Sequence, residues 1–413
     1  MTGGEDPLSD SEFATLMAQI GPYASDRRVV VGVSGGADSM ALALLLSRWG
    51  KPLACVVDHG LRTGSAAEAA RTAQRLAAIG VPARIVRADL RPGPAAAERA
   101  REARYALLLQ ACADAGCADL LVAHHAGDQA ETVRMRADAG SGPRGLAGMA
   151  ATTYMERARL LRPLLTIPAS RLRATLRAAG LSWEEDPTNR DLRTLRARLR
   201  ATEADGITAA ALERAAEHGP ARRERDGRIA AELAGVALFP EAYAIVPEPL
   251  GPDALAGLIW TLSGRPYPPP VQACQGMIAR TTHGVLIRRA GRLGSGWLLA
   301  REPAAAAPKV PARPGAVWDG RFRLASDPGP GLTIGALGAD AARFRRRSPL
   351  PSVVLQTLPA LRRGEEVVLV PHLAFPDAAT CRNLTVWFCP ARPAAGAPFS
   401  PAAVNPREGL GGA

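Results

Sequence analysis

Short β-branched runs alternate with longer Ala-, Leu- and Arg-rich segments over the first 130 residues. The runs at 28–33 (RVVVGV), 53–57 (LACVV), 83–87 (ARIVR) and 120–123 (LLVA) are nearly all apolar, as strands buried on both faces require. Between and after them, residues 38–48, 66–79, 95–115 and 127–136 repeat apolar positions at helical spacing. Strand-helix alternation of this kind predicts an α/β fold with a doubly wound parallel sheet, whose ligands sit at the carboxyl ends of the strands. Residues 34–39, 58–62 and 124–128 would then share one rim.

The pattern changes beyond residue 138. A Gly-rich loop at 140–145 leads to Arg162-Pro-Leu-Leu165, a helix over about 169–179 and the polar turn 184–189. Residues 209–218, 221–238 and 253–262 have helical periodicity, while 284–290 and 297–302 read as a hairpin. The expected organisation is an α/β domain over 1–200, a helical domain with a terminal hairpin over 201–302, a stiff Pro/Ala linker over 303–314, a small α+β domain over 315–390 and a disordered tail over 391–413. The distal domain carries a short basic run, Arg343-Phe-Arg-Arg-Arg347.

Composition narrows the function class. The chain has 413 residues, 51 Lys+Arg against 39 Asp+Glu, and a formal net charge of +12. Only Lys51 and Lys309 are lysines, so an Arg-rich codon preference and a polyanionic partner both account for the excess. Between residues 156 and 200, however, 11 Arg face 5 acidic residues, a local concentration suited to phosphate contacts. Aromatics are 4% of the chain, which disfavours base-stacking platforms. An acidic start, no apolar leader and no long apolar run point to a cytoplasmic protein. The six cysteines form no C-x-x-C pair, so they are expected to be reduced and mostly buried.

The sharpest chemical signal is Val33-Ser-Gly-Gly-Ala-Asp-Ser-Met40, between a strand and a helix. It lacks the Gly-Lys-Ser/Thr of a Walker A loop. Adjacent glycines flanked by serines at a helix start present backbone N–H groups and hydroxyls to one anion, and a nucleotide phosphate fits. Asp38 beside that anion makes sense if magnesium lies between them. Taken alone, the other elements stay ambiguous. Asp58-His59 could be a solvated turn, Arg101 and Arg104 a solvated helix face, Arg162 a carboxylate partner and 186–189 a structural Asx turn. His124 and His125 have no third ligand nearby in sequence for zinc.

The loop resembles that of the PP-loop ATP pyrophosphatases. Six further segments are similar, in order, to motifs of the tRNA(Ile)-lysidine synthetases: Val57-Asp-His-Gly-Leu-Arg62, Ala100-Arg-Glu-Ala-Arg-Tyr105, His124-His-Ala-Gly-Asp-Gln-Ala-Glu-Thr132, Gly140-Ser-Gly with Gly145-Leu and Met149, Arg162-Pro-Leu-Leu165, and Trp183-Glu-Glu-Asp-Pro-Thr-Asn189. The resemblance implies an adenine nucleotide α-hydrolase-like fold and a ligase. ATP adenylates the C2 oxygen of the wobble cytidine in a CAU-anticodon tRNA(Ile), and the amine of free L-lysine displaces AMP. It places ATP on Ser34, Gly35, Gly36, Ala37, Asp38 and Ser39, and magnesium on Asp38. Asp38, Asp128, Arg104 and Arg162 are the expected catalytic residues. Asp58, His59, His124, His125, Glu131, Asp186 and Asn189 are the expected lysine- and cytidine-binding residues, and Arg193, Arg196, Arg198 and Arg200 the expected tRNA contacts. A homodimer is left open.

Three positions depart from the family pattern. Gly127 replaces the first Asp of an Asp-Asp pair, Ala139 an Arg and Ala197 an Asn, so Asp128 is the surviving carboxylate of its pair. A catalytically decayed RNA-binding relative, a PP-loop tRNA thiolase and an amide-forming synthetase are the competing readings. The absence of a cysteine pair beside the loop argues against sulfur transfer, and the basic second half argues against a small-molecule synthetase.

Overall fold

The computed structural model describes residues 6–24, 26–58, 60, 64–88, 96–155, 158–184, 205–382, 384–390 and 392–403. The chain divides into two compact units, Met1–Glu224 with Pro398–Ala413, and Arg225–Ala397.

The first unit begins with helix α1 (Asp10–Gln19) and then alternates β1 (Arg28–Val33), α2 (Ala37–Trp49), β2 (Lys51–Asp58), α3 (Ser65–Ala78), β3 (Ala83–Arg87), α4 (Ala96–Asp114), β4 (Asp119–Leu121) and α5 (Ala126–Asp138). A short helix α6 (Pro143–Leu146), strands β5 (Thr152–Tyr154) and β6 (Arg159–Leu161) and helix α7 (Ala169–Ala178) follow. Six strands form one sheet in the order β3-β2-β1-β4-β6-β5. All neighbours are parallel except β5 against β6. Successive β1 side chains point to opposite faces. Val29, Val31 and Val33 join a core with Phe13 and Leu16 of α1, Leu42 and Leu46 of α2, and Leu172 of α7. Val30 joins a second core with Leu108 and Cys112 of α4. Both faces are covered, which explains why β1 reads as a continuous apolar run. After β1 the chain goes outward through β2 and β3, then returns to the other side of β1 as β4. The rim between the carboxyl ends of β1 and β4 is therefore the switch point where such sheets bind ligands.

Helix α8 (Asp205–Leu233) runs as one 29-residue helix through Pro220, where the sequence suggests two. Residues 398–403 belong to the first unit, contrary to the expectation of a disordered tail. The Ala151 N–H donates to the Ser400 carbonyl at 2.9 Å, the Thr166 hydroxyl donates to the Ala403 carbonyl at 2.8 Å, and Phe399 is buried beneath the Arg222 guanidinium. One buried aromatic and a few backbone bonds anchor a segment whose Pro/Ala composition carries no periodicity.

In the second unit, β7 (Ala237–Phe239), β8 (Tyr243–Val246), β9 (Arg280–Thr282), β10 (Val285–Arg289) and β11 (Trp297–Arg301) form an antiparallel sheet in the order β7-β8-β11-β10-β9. Helix α9 (Pro252–Ser263) packs on it through Leu255, Leu258 and Ile259. The expected hairpin is β10–β11, but the region expected to be helical is a sheet with helices. Its strands of three to five residues are too short to show a period of two in an Ala-rich background. Two further sheets follow. One is β12 (Val310–Pro311), β15 (Thr333–Ala336), β16 (Pro359–Arg363) and β17 (Glu366–Leu369); the other is β13 (Val317–Trp318), β14 (Phe322–Leu324) and β18 (Val386–Phe388). Helices α10 (Ser352–Gln356) and α11 (Ala378–Arg382) are short. The Pro/Ala stretch after residue 302, expected to be an extended linker, opens with a 3-10 turn over Pro303–Ala305 and is packed into this unit. Val310 pairs with Ile334, and the Asp319 carboxylate accepts the Ala307 N–H at 3.0 Å. Asp319 also accepts from Arg301 and from the fully buried Arg321, forming an internal ion cluster the sequence did not reveal.

Candidate active site

Strand β1 delivers Ser34 to the rim, and α2 starts at Ala37. Between them Gly35 adopts φ +87°, in the left-handed region that favours glycine. A Cβ on Gly35 would lie 2.5 Å from Thr72 Oγ1 and 3.4 Å from Glu184 Cγ, so absence of a side chain is required twice over. Gly36 is the N-cap of α2 and no side chain caps it. The positive end of the helix thus faces the loop without a built-in carboxylate or hydroxyl cap, as an anion site needs. Ser39 fixes the loop's shape: its hydroxyl accepts the Ser34 N–H at 3.2 Å, donates to the Gly36 carbonyl at 3.0 Å and lies 3.2 Å from the Ser34 hydroxyl.

Beside this cradle, the chain leaving β4 carries His124 and His125 into α5. His125 is the N-cap: its Nδ1 accepts the Gly127 N–H at 3.0 Å, while Asp128 accepts the His125 N–H at 3.0 Å. This reciprocal cap turns His125 Nε2 toward two carboxylates, 3.6 Å from Asp38 Oδ2 and 3.6 Å from Asp128 Oδ2. The first turn of α2 and the first turn of α5 therefore meet at one imidazole. Gly127 contributes a backbone donor to this cap where the family pattern has a carboxylate. Burial pushes the His124 imidazole down to about 4, against the pull of Asp128, and Arg162 and Arg101 push it the same way. A neutral ring results at physiological pH, and its Nδ1 is buried without a hydrogen-bond partner among the described residues.

Asp58 ends β2 and is buried, and its carboxylate accepts the Gly60 N–H at 2.9 Å. Glu131 is 2% exposed on α5. Arg162 follows β6 and is also buried; its Nη1 donates to the Ala150 carbonyl at 2.7 Å and to Thr153 Oγ1 at 2.9 Å. Its Nε is buried with no partner among the described residues. Burial lowers its pKa, yet a guanidinium stays charged. Arg104 lies on α4 one turn from Arg101, whose guanidinium sits 5.2 Å from the Tyr105 ring centroid. The charge of Arg101 reaches both His124 and Arg162, a role the sequence motif did not single out.

Ser34 to Ser39, Asp58, His124, His125, Asp128 and Arg162 thus lie at the carboxyl end of the parallel sheet, at the end of β2 and in the segments and first helical turns that follow β1, β4 and β6. His59, Asp186, Asn189, Arg193, Arg196, Arg198 and Arg200 lie outside the described residues. Cys55, Cys112 and Cys117 are in the α4-side core, and burial pushes the Cys55 thiol up to about 11 and that of Cys112 up to about 12. Sequence reasoning also missed Glu184, which reaches the loop at Gly35 and is paired with Arg71 and Arg75 of α3.

Magnesium is bound through one or two carboxylates plus phosphate oxygens and water. Asp38 and Asp128, flanking His125 beside an anion cradle, fit that requirement. No all-protein cage competes: among the described residues, no group of three or more His, Cys, Asp or Glu could hold a metal ion.

A parallel sheet with an S-G-G-x-D-S loop at its switch point defines a PP-loop ATP-binding domain, and residues 8–204 match the family model described as the PP-loop domain. Among curated proteins, the chain is 39% identical over 284 residues to a tRNA(Ile)-lysidine synthase of Methylobacterium nodulans, covering 64% of this chain and 84% of that one. It is 33% identical over 374 residues to one of Ruegeria pomeroyi, covering 84% and 88%, and 37% identical over 348 residues to one of Mesorhizobium japonicum, covering 76% of each. The chain belongs to the tRNA(Ile)-lysidine synthase family.

Proposed function

We propose that this chain joins free L-lysine to C2 of the wobble cytidine of CAU-anticodon tRNA(Ile), in two steps at the rim of the PP-loop sheet. The observation that carries this reading is that His125 Nε2 lies 3.6 Å from Asp38, in the first turn after the phosphate cradle, and 3.6 Å from Asp128, in the first turn of α5. In the first step the cytidine C2 oxygen attacks the α phosphorus of ATP, and pyrophosphate leaves. The α2 N-terminus, Ser34 and Ser39 hold phosphate oxygens, and Arg162 and Arg104 offset the charge that develops on them. Asp38 and Asp128 would hold magnesium, which would supply further charge neutralisation there. In the second step the lysine amine attacks C2 and AMP leaves with the oxygen. The amine must lose its proton first, and Asp128, Asp58 and Glu131 supply carboxylates to bind or deprotonate it. A neutral His124 adds polar contact without repelling the ammonium group.

The product pairs with AUA rather than AUG and carries isoleucine identity in place of methionine. Arg193, Arg196, Arg198 and Arg200, together with the second unit, are assigned to tRNA binding in the cytoplasm. No described helix is long and apolar enough to cross a membrane. The test is AMP release from ATP with a CAU-anticodon transcript, with and without lysine. Lysine-dependent AMP supports the reading, and no AMP above the lysine-free control overturns it.

A further inference from the structure

We propose that Glu184 is a positioning residue for the ATP-binding loop, clamping Gly35 to helix α3 through Arg71 and Arg75; this rests on the reading that the loop binds ATP. Three observations converge. The Glu184 N–H donates to the Gly35 carbonyl at 2.9 Å, so the residue holds the loop by its backbone. Its carboxylate is gripped by two guanidinium groups one turn apart on α3. Arg71 donates through Nε to Oε1 at 2.9 Å and through Nη2 to Oε2 at 3.3 Å, and Arg75 donates through Nη1 to Oε1 at 2.6 Å. Finally, Thr72, between those arginines in sequence, is the residue a Gly35 Cβ would strike, so α3 also supports the loop sterically.

Bidentate Arg-carboxylate geometry fixes orientation as well as distance, and only a fixed Glu184 keeps its N–H aimed at Gly35. Behind it, the Leu181 N–H donates to the Leu176 carbonyl at 3.0 Å and Trp183 packs against the α2-side core, so the chain leading into the clamp is itself held. This arrangement holds the loop in its anion-accepting shape before nucleotide arrives, which lowers the ordering cost of binding. Glu184 acts through the loop and has no part in the chemistry. Its removal should weaken nucleotide binding and leave the lysine step alone.

The experiment measures calorimetric binding of α,β-methylene-ATP, with magnesium, to the full chain carrying Glu184→Ala, Glu184→Gln or Arg71→Ala/Arg75→Ala, alongside steady-state KM for ATP and lysine. Glu184→Ala and the double arginine variant should each weaken the analogue about tenfold and raise KM for ATP by a similar factor, while KM for lysine stays within about twofold. Glu184→Gln, which keeps one acceptor oxygen for the arginines but loses the charge, should fall between wild type and Glu184→Ala. If Glu184→Ala binds the analogue as tightly as wild type, the proposal fails. If KM for lysine and for ATP rise together, the role is general folding support and the proposal also fails. The calorimetric arm needs no turnover, so it stands even if the wild-type chain makes no lysidine.

Discussion

Replacing Gly35 by Ala tests whether the loop is shaped by α3 and Glu184. An L-residue at φ +87° pays about 1–2 kcal/mol for the left-handed conformation. The new Cβ would meet Thr72 Oγ1 at 2.5 Å, and that hydroxyl is buried and donates to the Glu68 carbonyl at 2.9 Å. Moving it away sacrifices a hydrogen bond of about 0.5–1.5 kcal/mol, for a total of about 1.5–3.5 kcal/mol. Expressed as stability, this lowers the melting temperature of a unit this size by about 3–14 °C. Expressed instead as a deformed loop, it weakens nucleotide binding about 10- to 300-fold. Gly36→Ala is the control: its Cβ would find only Ser34 Oγ, at 3.7 Å, and the cost should not exceed about 1 kcal/mol. Adding Thr72→Ala to Gly35→Ala should recover about 1 kcal/mol, a coupling that isolates the steric part from the backbone part. Scanning calorimetry and binding of α,β-methylene-ATP read both outcomes. A Gly35→Ala protein as stable and as tight-binding as wild type would refute the reasoning.

Arg162→Lys should leave the fold intact but lower kcat/KM by about 10- to 100-fold, because an ammonium group cannot bond Ala150 and Thr153 while presenting a further planar donor; steady-state AMP formation checks this. His124 is held near 4 by burial, so between about pH 6.5 and 4 the unfolded chain takes up a proton that the folded chain does not, and stability falls as pH falls. His124→Gln should flatten that part of the stability profile in pH-dependent melting. Glu184 is depressed to about 2, first by its bonds to Arg71 and Arg75. Its stabilisation should be complete above the ordinary carboxylate pKa and vanish as pH falls toward 2, so wild type and Glu184→Gln should differ by a constant amount from pH 6 to 8 and converge in acid. For tRNA, replacing Arg193, Arg196, Arg198 and Arg200 together by Ala should make the slope of log affinity against log salt shallower by about 0.7–0.9 for each phosphate these arginines neutralise.

The nucleotide-binding sheet was legible in the sequence because its central strands β1, β2 and β4 are largely buried; the edge strand β3, read from the same pattern as buried, instead exposes Arg84, Ile85 and Arg87, since no strand covers its outer side. Runs such as Val29-Val30-Val31 have no other use, and the glycines of the loop stand where a strand must turn into a helix. The local geometry of His125 was not legible. That it caps α5 and bridges Asp38 to Asp128 depends on β1 and β4 lying side by side, and these residues are almost ninety positions apart. Glu184 was hidden for the same reason, since its partners Arg71 and Arg75 sit on a helix 109 to 113 residues earlier. In the second unit the failure was one of period. Strands of two to five residues such as Val317–Trp318 cannot display alternation, and a helix continuing through Pro220 defeats the rule that proline ends helices. The buried pairing of Arg301 and Arg321 with Asp319 reads in sequence as three ordinary surface charges.

The most direct test of the central claim is mass spectrometry of CAU-anticodon tRNA(Ile) after incubation with the chain, ATP, magnesium and L-lysine. A lysidine nucleoside is expected at the wobble position, formed only when lysine is present and matched by AMP. An unmodified wobble cytidine, or a sulfur-bearing one, would contradict the assignment.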